Sequence, residues 1–217
     1  MGTSTDTAMI KKIAHQILNP LGMKRERESR VWLDDNGWWV TLIEFQPSTH
    51  SEGTYLNVGI HFLWYPKKNS SFDISFRLGD FVQYQSERQF EEDVKKLAEI
   101  ARTRVLNFRD KLSTTERARS FIISSFEEHR PTIWVNFHRG MACALAKDRL
   151  GALEYLNEVV NNTHDAEWAV ELRDFTRRLM ERLDSSHNAL PLIVQAVKDS
   201  RELKQLTPGG DQFVRFA

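Results

Sequence analysis

The chain has a single cysteine, Cys143, among its 217 residues. No disulfide can close within it, its usage points to a reducing compartment, and its stability must come from its core. Glycine is scarce, at 10 residues. None falls in G-x-G-x-x-G, G-x-x-x-x-G-K-[ST] or G-x-S-x-G, so the glycine-built phosphate loops and the nucleophile elbow are excluded. An excess of either charge is also missing: 30 Lys+Arg face 30 Asp+Glu, a formal net charge of zero. That balance disfavours a molecule-wide field for nucleic acid. No apolar run reaches the ~20 residues of a membrane span. Met1 to Thr7 holds neither the basic nor the apolar stretch of a secretory signal. The expectation is a cytoplasmic protein with no membrane association.

What is present is an ordinary globular composition, 41% hydrophobic and 28% charged. A chain of this length buries roughly 70% of its unfolded surface without staples. A first helix is expected over Asp6 to Leu18, where Ile10, Ile13, Ala14, Ile17 and Leu18 form one stripe, with Asp6 as N-cap and Asn19-Pro20 and Gly22 as stop. Four strands follow: Met23 to Asp34, a charged edge; Trp38 to Gln46, after an Asn36-Gly37 hairpin turn; Thr54 to Tyr65; and Ser71 to Leu78. Leu56, Val58, Ile60, Phe62, Phe72, Ile74 and Phe76 alternate with smaller or polar residues, which assigns them to one buried sheet face. From Ser86 the period turns helical. Phe90, Val94, Leu97, Ala101, Val105, Phe108 and Leu112 form the stripe that would cover that face.

Further helices are expected from the Ser113–Glu116 capping box through Phe126, from Gly140 to Lys147, from Leu150 to Val160, after Asp165, and from Ala189 to Leu206. Pro208-Gly209-Gly210 opens a tail. The predicted fold is α+β: a four-stranded antiparallel sheet covered on one face by helices, with a helical C-terminal half. It is read as one integrated domain over 1–217, with a helix and sheet at 8–80, a helical half at 86–206 and a tail at 207–217.

Chemistry-bearing constellations are few. Seven histidines include no H-E-x-x-H and no Cys/His pair at zinc spacing, and His129 and His138 have no carboxylate at ligand spacing. Neither a metal nor another cofactor is expected. Cys143, between Ala142 and Ala144, reads as an inert small hydrophobe. Six tryptophans are present. Trp64 reads as core, whereas the adjacent Trp38 and Trp39 must point to opposite faces. The odd positions of the third strand, Tyr55, Asn57 and His61, with Glu44 and Gln46 from the strand before, make up a polar sheet face. That set is the candidate binding surface. No residue set supports a reaction, so a non-enzymatic binder of a protein partner is the leading expectation. One alternative is a small enzyme or small-molecule sensor using His61 and Glu44 on the polar face. Another is an adaptor gripping a peptide with the helical hairpin of 140–160.

Leu18-Asn19-Pro20-Leu21-Gly22-Met23-Lys24, Trp32, Phe45-Gln46-Pro47-Ser48 and Tyr55-Leu56-Asn57-Val58-Gly59-Ile60 resemble the bacterial domain of unknown function 4304 family. Arg109-Asp110-Lys111-Leu112-Ser113 and the hairpin around Gly151 are similar to its C-terminal portion. Met23 departs from it by standing where an aromatic is usual, as do the helices after Asp165. Some members of that family look like immunity proteins of interbacterial toxin systems. The resemblance therefore implies an immunity protein that neutralises a cytosolic toxin by stoichiometric binding.

Overall fold

The computed structural model describes residues 5–128, 130–185 and 188–206. Among them an antiparallel sheet precedes a run of helices, an α+β arrangement. Two compact units are present. Among the described residues, one holds the chain up to Leu63 together with Asn69–Asp110, and the other holds Trp64–Lys68 and the residues from Lys111 to Leu206.

The sheet unit opens with α1 (Thr5–Leu18), which buries Ile10, Ile13, Ala14 and Leu18. Asp6 lies inside its first turn rather than capping it, and its carboxylate accepts from Arg30 Nη2 at 2.8 Å. A 3-10 turn over Asn19–Leu21 follows. Gly22, at φ 84°, ends it by donating its N–H to Asn19 O at 2.8 Å, the left-handed stop that glycine allows.

Five strands then run in sequence order: β1 (Lys24–Arg25), β2 (Val31–Asp35), β3 (Trp39–Pro47), β4 (Gly53–Phe62) and β5 (Ile74–Gln83), each antiparallel to the next. The expected four become five because Met23–Asp34 is not one strand. It folds on itself at Arg27 (φ 48°), where Glu26 O accepts from both the N–H and the hydroxyl of Ser29. The hairpin turn at Asn36-Gly37 forms as expected, but only Gly37 takes a positive φ, 88°.

Register places Trp32, Ile43, Val58 and Phe76 in one cross-strand row and Phe45, Leu56 and Leu78 in the next. Leu56, Val58, Ile60, Phe62 and Ile74 are buried as expected, each such side chain contributing roughly 1.5–3 kcal/mol. α2 (Glu87–Lys111) lies against this face. Its Phe108 ring meets Phe76 at 6.1 Å, and its Arg109 donates to both oxygens of Asp34, at 2.6 and 3.0 Å. Ser86 caps α2 by accepting Gln89 N–H, the first half of the expected capping box, while Gln89 Oε1 reaches back to Gln85 N–H, one residue before the cap.

Two members of the expected buried set differ. Phe76 is half-buried at the sheet edge. Phe72 precedes β5 and lies on the opposite face: a Cβ on Gly59 would meet Phe72 Cδ1 at 2.5 Å. Glycine at 59 is what lets that ring lie on the strand. Trp38 and Trp39 are both buried, and Trp38 stacks on Phe62 at 5.9 Å.

In the helical unit, α3 (Thr115–Ser125) is capped not by Ser113 but by Thr114, whose hydroxyl accepts Arg117 N–H. α4 (Ile133–Leu145) starts well before Gly140, with Thr132 accepting Val135 N–H. It packs on α5 (Arg149–Val160) so tightly that a Cβ on Gly140 would lie 2.6 Å from Leu156 Cδ2. Asp148 caps α5 through Gly151 N–H. α6 (Glu167–Ser185) and α7 (Leu190–Leu203) complete the unit. Trp64 is buried as expected but belongs to this unit rather than to a strand. Its Nε1 donates to His138 Nδ1 at 3.0 Å. His129 and the tail from Thr207 lie outside the described residues. Among the described residues no helix is long and apolar enough to cross a membrane.

Candidate functional site

The second face of the sheet carries the candidate residues on its central strands. Register sets Asn57 of β4 directly between Glu44 of β3 and Arg77 of β5, with Gln46 and Tyr55 forming the next pair along. Directly opposed side chains on a sheet are close enough to bond, and here they do. Asn57 Nδ2 donates to Glu44 Oε2 and to Gln46 Oε1, both at 2.9 Å. Arg77 donates through Nε to Asn57 Oδ1 at 3.2 Å and through Nη2 to Gln46 Oε1 at 2.7 Å. Its guanidinium also lies over the Tyr55 ring, 4.5 Å from the centroid, a contact worth about 0.5–1 kcal/mol at an exposed site.

The geometry fixes each amide. Gln46 turns its oxygen inward to two donors, so its Nε2 faces away from them, while Asn57 spends donor and acceptor on its neighbours. Glu44, Gln46, Tyr55 and Asn57 are half-buried and Arg77 is exposed. The result is a patch of mixed polarity, held by cross-strand bonds over β3, β4 and β5. Four of the five predicted residues meet here, and Arg77 is the member that sequence reasoning missed. Its signal was present: Arg77 occupies a polar position of the alternation Phe72-Asp73-Ile74-Ser75-Phe76-Arg77.

His61 does not belong to this patch. It is buried, at 1% exposure, rather than projecting from a wet face. Its Nδ1 lies 3.0 Å from Asp73 Oδ2, which also accepts the Phe62 N–H at 2.8 Å, while Ser71 Oγ donates to Asp73 Oδ1. Val40, the cross-strand partner of His61, and Leu42, the partner of Gly59, are buried as well. This end of the face is sealed, in part by Phe72 over Gly59. Glu44 and His61 are therefore not gathered into one pocket.

Cys143 is buried in the helical unit. Burial pushes its thiol up and the nearby Asp148 carboxylate adds to that, against the opposing pull of Arg119. A thiol so raised is a poor nucleophile. Asp148 is held below the usual carboxylate range by the Gly151 N–H, and further by Arg119 at 2.6 Å. Among the described residues no group of three or more His, Cys, Asp or Glu is gathered that could hold a metal ion.

A second surface cluster, not foreseen from sequence, lies in the helical unit. Trp134 and Trp168 stack at 5.8 Å, His164 meets Trp168 at 5.0 Å, and Lys67 Nζ stands 5.0 Å over Trp134. Lys67, Trp134 and the His164–Trp168 pair come from three separate stretches of the chain, so no single local motif marks the cluster. No family model, curated protein or solved structure matches the chain.

Proposed function

We propose that the protein is a binding module for a protein partner and that the contact is centred on Glu44, Gln46, Tyr55, Asn57 and Arg77. The observation that supports this reading is the cross-strand hydrogen-bond network joining these side chains at the surface. A patch already locked in one arrangement loses little rotamer freedom on contact, so more of its interaction energy appears as affinity. Tyr and Arg, stacked at its exposed side, are residue types enriched among binding hot spots. The patch contains one carboxylate and no nucleophile or exposed imidazole, the composition of a recognition surface rather than a reacting one.

The resemblance to the domain of unknown function 4304 family extends the proposal: the partner is a toxin, neutralised one to one by covering its working surface. Zero net charge means that attraction rests on the local patch rather than on a bulk field. Co-expression with the product of the adjacent gene tests both parts. The expected result is that the neighbour is toxic alone, harmless beside the wild-type chain, and toxic again beside an Asn57→Ala, Arg77→Ala double variant. A neighbour that is harmless alone, or stays toxic beside the wild type, sinks the toxin reading. Protection that survives the double variant sinks the assignment of the patch.

A further inference from the structure

β5 is the outer strand of the sheet. Among the described residues no strand pairs with its far side. The opposite edge, β1, is two residues long and cationic, Lys24–Arg25, the short charged form that discourages pairing. β5 is 10 residues long; over Ile74–Leu78 its one charged side chain, Arg77, is turned onto Tyr55 and Asn57 of β4, and its pairing with β4 is regular, the irregularity beginning only beyond, opposite Tyr55. Beside this stretch, on the face toward α2, lies an open depression of about 510 Å3 lined by Leu78, Glu99, Ile100, Thr103, Arg104 and Asn107.

Arg104 sets the chemistry. Its guanidinium is held flat against two rings, 4.8 Å from Phe76 and 5.9 Å from Phe108. It has no carboxylate or hydrogen-bond partner among the described residues. Glu99 turns instead to Arg102, at 3.4 Å. A planar cation laid on aromatics, with its in-plane donors free, suits a carboxylate. Half-buried Leu78 and exposed Ile100 supply an apolar wall beside it.

We infer that the β5 edge and α2 together form a groove for an extended peptide segment of a partner, added as a sixth strand along Ile74–Leu78. On its inward face the segment places a carboxylate over Arg104, opposite Phe76, and an apolar side chain two residues away, against Leu78 and Ile100. Main-chain bonds to the free edge supply affinity, and alternate side chains supply selection. This groove uses the backbone edge of β5 and its face toward α2, whereas the Arg77 side chain belongs to the patch on the opposite face; the inference does not rest on the role proposed for that patch.

The test is an NMR titration of the 15N-labelled protein with two acetylated, amidated hexapeptides, Thr-Leu-Thr-Glu-Thr-Val and the same sequence with Lys for Glu. With the first, shifts are expected at the amides of 74–78 and 99–107, and affinity at least about tenfold above that for the second, the ratio a charged hydrogen bond commands. Arg104→Gln should erase that preference while leaving the spectrum of the free protein otherwise unchanged. If that variant does not fold, the Glu-against-Lys comparison on the wild type decides alone. Equal affinity for both peptides, shifts confined to other regions, or no shift at millimolar peptide overturns the inference. Glu44→Ala, on β3 and away from the β5 edge, should leave the titration as it is, so failure of the sheet-face proposal and failure of this one are told apart.

Discussion

Asn57 and His61 stand on the same strand and the same face of the sheet, two side-chain rows apart, yet they live in different solvents. Asn57 bonds sideways to Glu44, Gln46 and Arg77 and keeps an edge to water. His61 is sealed, its Nδ1 set against Asp73 and its cross-strand partner Val40 buried. Between them lies Gly59, whose missing side chain admits the Phe72 ring. The lesson is energetic. A polar group left in water exchanges one hydrogen bond for another at little net gain, whereas a sealed group must keep every bond it has, because losing one costs the full desolvation penalty. The Asn57 end is thus open to the recognition role proposed for it, and the His61 end is committed to holding β4 to the segment that leads into β5.

Substitutions on the two faces would break this contrast or sharpen it. The largest effect is expected from Ile60→Ala, beneath α2, at about 2–5 kcal/mol in chemical denaturation, the range for emptying a buried aliphatic site. A loss below about 1 kcal/mol would mean that the face is not packed as described. Next is Asp73→Ala, which strips acceptors from the Phe62 N–H, from the Ser71 hydroxyl and from His61 at once. About 3 kcal/mol is expected, because three hydrogen bonds at one site are lost together, two of them to buried residues. The comparison fails if Asp73→Ala proves as mild as a surface change. The smallest belongs to Asn57→Ala, within about 1 kcal/mol in stability, with its cost appearing in the co-expression assay instead. Equal destabilisation by Asn57→Ala and Asp73→Ala would erase the distinction between a hydrated end and a sealed end.

How far the sequence shows this in advance depends on whether a feature is local. Leu56, Val58, Ile60 and Phe62 are legible because burial of every second side chain leaves a period-two mark in the sequence itself. The α2 stripe and its Ser86–Gln89 cap are legible for the same reason at period 3.6. Phe72 misleads because its alternation with Ile74 and Phe76 continues past the point where β5 begins; nothing local says that the pairing has ended. His61 misleads in the same way. A polar residue at an odd position reads as wet, and only cross-strand register brings Asp73 beneath it. Arg77 was passed over because its link to Asn57 is a matter of register between β4 and β5. The start of α4 is hidden by Ile133, Val135 and Phe137, residues of high strand propensity that are helical here because the packing around them decides the outcome. The turn at Arg27 carries no glycine to announce it.

The short segment Trp64–Lys68 has a consequence for anyone who would take the molecule apart. It leaves the sheet unit after Leu63, joins the helical unit, and the chain returns at Asn69. Within the helical unit it places Trp64 on His138 and the Tyr65 ring against Trp134, Phe137 and Phe175. The two units are therefore not separable modules in the genetic sense. A gene fragment beginning at residue 111 encodes every helix from α3 to α7 but lacks the two aromatic side chains around which α4 and α6 are packed, and no single crossover point would transplant either unit intact. Recombination, splitting into complementing halves and insertion of a reporter all meet the same obstacle. The units are interlaced in sequence, and whatever selects for one selects for the loop of the other.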